Sequence, residues 1–217
     1  MDHKRFEAIL TPILIAVTFV LSIHMKDSPI VTISAVFGLL YTIYAGRGKA
    51  YCYLFGMIGT LCHSYISFQQ MLWGSFLLYI GYYFPMEIAG LFLWSKNLNS
   101  SKNEVQKASL SPHSRKIFAA AAFVAIVLFA IVLKIAHCKY PILDSLTTIL
   151  SICGLYLTVR RCLEQWIVWT LVNFLSIIVW AKIFISGEKT FATLLMWCVY
   201  FMLGIYFYFR WKKELKD

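Results

Sequence analysis

Trp166, Trp169 and Asn173 stand at i, i+3 and i+7, so a helix through them carries all three on one face. Asn173 then lies about 12 Å along the axis from Gln165, close to mid-helix. Its neighbours Leu171, Val172, Phe174 and Leu175 are apolar. An amide in that setting needs a hydrogen-bond partner inside the protein, because leaving it unpaired in hydrocarbon costs several kcal/mol. Two indole faces with an amide beyond them suit a flat heterocycle that bears a hydrogen-bonding group. Glu87 is the carboxylate placed well inside an apolar run, about 10 Å from the end of that run at Trp94. An acidic group at such depth costs about 2.5 to 3.5 kcal/mol on insertion scales, so it should face a cavity or a partner. Near tryptophan rings it favours a cationic aromatic ligand, through charge pairing and cation–π attraction.

Each of these residues also has a structural reading. Trp166 can belong to the aromatic belt at the membrane surface, Asn173 can join two helices, and Glu87 can be a hydrogen-bonded group beside the kink of Pro85. Thr60 is a further candidate, and so are His63, Tyr79 and Tyr83, whose polar tips lie partly in the outer half of the membrane. Asp144, in Pro141-Ile-Leu-Asp-Ser, reads as a helix cap. Catalytic signatures are absent: there is no His-Glu-x-x-His, no Gly-x-Ser-x-Gly, and Gly46-Arg-Gly-Lys lacks the spacing of a phosphate-cradling loop. The chain is therefore no enzyme, needs no cofactor and offers no metal site.

The elements that position these residues follow from composition. With 60% hydrophobic residues and a mean hydropathy of +0.72, the chain has too little polar surface to clothe a soluble core. The apolar residues fall into blocks long enough to cross a hydrocarbon layer about 30 Å thick as helices. Eight are read: Ala8 to Met25, Ile30 to Ala45, Ala50 to Phe68, Met71 to Trp94, Ile117 to Leu133, Pro141 to Val159, Gln165 to Ala181, and Thr190 to Phe209. The blocks do not alternate every second residue, which excludes a membrane β-barrel. The first block lacks a small-x-small cleavage site and reads as a retained helix.

The net charge of +10 does not gather into a nucleic-acid patch. With the N-terminus cytoplasmic, the inner segments hold the basic residues at a bias of about three to one, which places both termini in the cytoplasm. Cys52, Cys62, Cys138, Cys153, Cys162 and Cys198 have no metal-ligand or disulfide spacing and read as small apolar fillers. The polar stretch from Lys96 to Lys116 reads as a flexible cytoplasmic connection.

On either side of it, three helices can be laid over three. Gly38 falls on Gly154, Thr42 on Thr158, Arg47 on Arg160, Thr60 on Asn173 and Gly90 on Gly204. The division is then an extra N-terminal helix over 1–27, a three-helix repeat over 28–95, the connection over 96–116, a connecting helix over 117–140, a second repeat over 141–211 and a tail over 212–217. One extra crossing between repeats of three makes them parallel, with substrate between the halves near mid-membrane, as in the SWEET sugar carriers. The fold class is thus all-α, a polytopic membrane protein.

With these residues in view, the chain resembles the PnuC family of bacterial vitamin transporters. The most specific match is Glu164-Gln-Trp-Ile-Val-Trp-Thr-Leu-Val-Asn173, the family's Trp-x-x-Trp-x-x-x-Asn element; Leu143-Asp-Ser-Leu and Tyr82-Tyr-Phe-Pro-Met support it. The resemblance implies a three-plus-one-plus-three helix fold, a homotrimer in the bacterial inner membrane, and facilitated diffusion of a vitamin trapped by a cytoplasmic kinase. It implies ligand contacts from Trp166, Trp169 and Asn173. Members that carry nicotinamide riboside have Gln where this chain has Glu87, Asn at Tyr79 and Gln at Gly59. Relatives called PnuT carry thiamine, and Glu87 would serve its cationic ring as readily. A SWEET-like sugar carrier and a membrane subunit without transport activity remain as other classes.

Overall fold

The structure is a computed structural model that describes residues 3–26, 28–69, 73–99, 103–137, 140–185 and 191–216. It is built of helices: α1 (His3–Met25), α2 (Pro29–Gly46), α3 (Cys52–Gln69), α4 (Trp73–Leu78), α5 (Phe84–Lys96), α6 (Pro112–Ile135), α7 (Pro141–Val159), α8 (Gln165–Ile185) and α9 (Phe191–Glu214). A π turn, Tyr79–Tyr83, joins α4 to α5 in one rod, so the described residues form eight helical rods. Pro85 sits at the start of α5, where its missing N–H is tolerated, and the wider π turn relieves the ladder before it. The expected helix starts at Met71 and Thr190 lie outside the described residues, as does Cys138.

The helices are apolar on the outside. On α3 the exposed residues are Leu54, Ile58, Leu61, Tyr65 and Phe68, each 40–50% exposed, whereas Thr60, Ser64 and Ser67 are buried. A water-soluble helix shows the opposite arrangement. This inside-out pattern explains why six helices are long and apolar enough to cross a membrane by composition, namely α2, the α4–α5 rod and α6 to α9, while α3 is too polar in sum. In α6 no residue is buried, and its side chains present Phe123, Val127, Leu128 and Ile131 outward. It is fastened to α7 through the Ser145 hydroxyl, which donates to the Ile126 carbonyl at 2.6 Å.

The contacts divide the chain into two compact units, Met1–Val105 and Gln106–Asp217. In the first, α1 packs on α2, α2 on α3, and α3 on the α4–α5 rod; in the second, α6 packs on α7, α7 on α8 and α8 on α9. The two units share one turn design. After α2, Arg47 N–H donates to the Ile43 carbonyl, Gly48 to Ala45 and Lys49 to Tyr44; after α7, Arg160 donates to Tyr156, Arg161 to Thr158 and Cys162 to Leu157. Both turns pass through the left-handed region, at Gly48 (φ 70°) and at Arg161 (φ 61°). Counted back from this shared cap, Tyr41 corresponds to Gly154. The sequence pairings of Gly38 with Gly154 and Thr42 with Thr158 are therefore out of register by most of a turn.

The polar stretch is anchored, its first part to the first unit and its later part to the second. Strands β1 (Leu98–Asn99) and β2 (Glu104–Val105) form a short antiparallel hairpin. Within the first unit, Val105 N–H donates to the Gly48 carbonyl and Lys49 pairs with Glu104 at 3.6 Å. Within the second, Ala108 N–H donates to Arg161, Leu163 N–H to Ala108, and Glu164 accepts from Arg115 Nε at 2.7 Å and from Leu110 N–H at 3.1 Å. Lys107 pairs with Glu214, which also takes Arg210 Nε at 2.8 Å. Polar composition suggested flexibility because its partners, the turn backbone, Lys49, Glu164 and Glu214, are invisible to a local reading. Helix α6 consequently starts at Pro112, capped by the Ser111 hydroxyl accepting from Ser114 N–H, earlier than the apolar run at Ile117. Asp144 does not cap α7: the N-cap is Tyr140, and Asp144 lies exposed in the first turn, where only the helix dipole favours it.

Candidate substrate-binding site

In the second unit α8 begins at Gln165, whose N–H bonds back to the Cys162 carbonyl in the turn. The Trp-x-x-Trp-x-x-x-Asn element fills its first turns, and its three side chains have different surroundings. Trp166 is 3% exposed and packed between two aromatics of α9, with ring centroids 5.2 Å from Phe207 and 5.7 Å from Trp211. Its Nε1 is buried without a hydrogen-bond partner among the described residues. These contacts place Trp166 in an aromatic cluster that Lys107 caps by lying over the Trp211 ring.

Trp169 is only half-buried and stacks on no aromatic ring among the described residues. Its Nε1–H donates to Thr158 Oγ1 at 3.0 Å, and Thr158 in turn donates to the Gly154 carbonyl at 2.8 Å. A Cβ placed on Gly154 would lie 2.9, 3.1 and 3.2 Å from Cε2, Cδ2 and Cζ2 of Trp169. Such similar distances to the fused bond and a neighbouring carbon put Gly154 over one face of the indole. Asn173, one turn further along α8, is 7% exposed and makes no hydrogen bond with a described residue. An indole without a stacking partner, followed by an amide without a hydrogen-bond partner, is able to receive a flat ring with a polar substituent.

The first unit holds the carboxylate. Glu87, in the first turn of α5, is 3% exposed; Oε1 accepts from the Thr60 hydroxyl of α3 at 2.9 Å, while Oε2 is buried with no partner among the described residues. Gly56 makes room for it. A Cβ there would stand 2.8 Å from Glu87 Oε1 and 2.9 Å from Tyr41 Cδ2, so Tyr41 of α2 borders the same spot. The Tyr41 and Ser34 hydroxyls, both on α2, are likewise buried and unpaired among the described residues. The contact of an aromatic ring with a glycine appears in both units with partners exchanged: Tyr41 on Gly56 in the first, Trp169 on Gly154 in the second.

Nearby in the same unit, Tyr79 stacks on His63 at 5.4 Å and 15° and meets Tyr83 edge-on at 5.4 Å. The π turn carries both tyrosines, and His63 is exposed. Thr60 and Glu87 are thus joined by a hydrogen bond, and His63, Tyr79 and Tyr83 form a ring series beside them. Sequence reasoning missed Tyr41, Gly56, Gly154 and Thr158. The last two stand at i and i+4 on α7, a spacing that marks one face, but nothing local shows that Trp169 lies across it.

Apolar rods with polar groups buried among them mark a polytopic membrane protein. The family model described as "Nicotinamide mononucleotide transporter" matches residues 28–213. The chain is 30% identical to the nicotinamide riboside transporter PnuC of Neisseria mucosa over 98% of this chain and 82% of that one. It is 28% identical to the PnuC of Haemophilus influenzae, over 98% and 92% respectively. The crystal structure of the vitamin B3 transporter PnuC superposes with a TM-score of 0.83 at 30% identity, covering all of this chain and 93% of the other. The chain belongs to the PnuC family of membrane transporters, whose members named here are carriers and not enzymes.

Proposed function

We propose that this protein takes up nicotinamide riboside, a form of vitamin B3, by facilitated diffusion across the bacterial inner membrane. The observation that carries the reading is the half-buried, unstacked Trp169 with the unpartnered Asn173 amide one turn beyond it. A pyridinium ring matches the indole, and a carboxamide both donates to and accepts from Asn173. The names of the curated relatives support that ligand. In this reading both termini are cytoplasmic, the transporter works as a homotrimer, and a cytoplasmic kinase traps the vitamin by phosphorylation.

A second reading, thiamine, is favoured by one observation: a carboxylate rather than an amide fills position 87. A thermal-shift comparison separates the two. A ligand that binds only the folded state raises apparent stability by RT ln(1 + [L]/Kd), about 2.7 kcal/mol at a hundredfold excess over Kd. Nicotinamide riboside should raise the melting temperature, and liposomes holding only this protein should equilibrate it without an ion gradient. A shift with thiamine alone moves the assignment to thiamine; a shift with neither overturns the vitamin reading. Accumulation above equilibrium driven by sodium or protons overturns facilitated diffusion.

A further inference from the structure

We propose that Thr158 and Gly154 of α7 are positioning residues for Trp169, holding the indole so that one face lies on α7 and only the other is offered to the ligand ring. The proposal rests on the reading of Trp169 and Asn173 as ligand contacts.

The contrast within α8 supports it. Trp166 gains its place by packing against two rings and leaves its Nε1 unpaired. Trp169 packs on no ring among the described residues; a hydrogen bond at one edge and a glycine under one face fix its rotamer instead. Thr158 is suited to the task because its single hydroxyl is fully committed. It accepts from the indole and donates to the Gly154 carbonyl, so its own rotamer is held by the helix backbone. It is 1% exposed, which protects the bond from water. Gly154 is required because any side chain would occupy the space of the ring. Pre-setting an aromatic platform lowers the ordering cost of binding, so affinity should depend on residues that never touch the ligand.

The test uses full-length protein in detergent and in liposomes, with nicotinamide riboside as probe. Thr158→Val keeps the shape and removes the hydroxyl; Thr158→Ser keeps the hydroxyl. Titration calorimetry should show Thr158→Val losing affinity about five- to tenfold, the worth of one hydrogen bond, while Thr158→Ser stays within about twofold of the parent. In 15N-tryptophan NMR, the Trp169 indole N–H should move and exchange faster in Thr158→Val but not in Thr158→Ser, a signature a purely structural threonine would not give. Gly154→Ala provides an independent arm: combined with Trp169→Phe it should cost no more than Trp169→Phe alone. Parental affinity in Thr158→Val, or additive losses in the Gly154 cycle, overturns the proposal while the binding site stands. Absence of binding by the parent protein overturns the underlying site and the proposal with it.

Discussion

The Thr60–Glu87 pair gives the sharpest test of how the first unit tolerates a carboxyl in its interior. Thr60→Val preserves volume and removes the one donor, at 2.9 Å, that reaches either oxygen of Glu87 among the described residues. Oε2 is already unpaired, so the variant leaves the whole group without a partner at 3% exposure. The penalty for stranding a buried polar group is about 1 to 3 kcal/mol. Glu87→Leu should cost less. It removes the group that needs a partner, and the freed Thr60 hydroxyl can turn to its own helix as Thr42 and Thr158 do, donating to the Gly38 and Gly154 carbonyls at 3.0 and 2.8 Å. The double variant should then be more stable than the sum of the singles by about 1 to 3 kcal/mol, because the stranding penalty disappears with the carboxyl. Reversible unfolding in mixed micelles measures all four corners. A neutral Thr60→Val, or a coupling below about 0.5 kcal/mol, would show that Thr60 does not hold Glu87.

Four further outcomes follow from the packing. Asn173→Leu should abolish nicotinamide riboside binding while leaving the melting temperature within a few degrees of the parent, because the amide makes no hydrogen bond with a described residue; a large drop in stability would make the amide a structural bond. Trp166→Ala should cost about 3 to 5 kcal/mol of stability in the same unfolding assay, whereas Trp169→Ala should lose binding at a smaller stability cost. Gly90→Ala places a methyl inside the Tyr53 ring and should destabilise by about 1 to 3 kcal/mol, with Tyr53→Leu relieving part of the loss. Glu164→Gln breaks a half-exposed ion pair with Arg115 and weakens the bond from Leu110 N–H, so limited proteolysis between Gln106 and Ser111 should quicken; an unchanged rate would refute the anchoring of that stretch.

What was legible in the sequence was whatever the bilayer dictates. The helix count follows from the length of apolar runs, and the depth of Asn173 and Glu87 follows from rise per residue. Side-chain neighbours across helices do not. The i, i+3, i+7 spacing put Trp166 and Trp169 on one face, yet α9 covers the first with Phe207 and Trp211 and leaves the second half-open. The connection misled for a related reason: residues such as Asn103 and Glu104 have turn-like composition, and their anchoring to Lys49 is set by tertiary placement. Likewise the cap of α7 falls on Tyr140 rather than Asp144, since Pro141 already fixes the first turn.

The matching turns after α2 and α7 show how one local frame accommodates different chemistry. The backbone bonds that end each helix and start the next are the same, although Gly48 of one turn is replaced by Arg161 in the other. A non-glycine residue at φ 61° carries a strain of about 1 kcal/mol or more, and it persists only where surroundings over-determine it. Here they do: the Arg161 carbonyl accepts from Ala108 N–H, and its guanidinium donates to the Gln106 carbonyl at 3.2 Å. Glycine at Gly48 needs no such support, and its carbonyl takes a single bond from Val105. Replacing Arg161 by Gly should therefore leave the turn intact and release the connection at Gln106, whereas Gly48→Ala should strain the α2–α3 turn itself. Hydrogen exchange in Arg161→Gly tests this: protection lost at Ala108 but kept at the turn amides of residues 161 and 162 supports a frame held by the backbone, whereas protection lost at those turn amides would mean that the side chain of Arg161 shapes the turn.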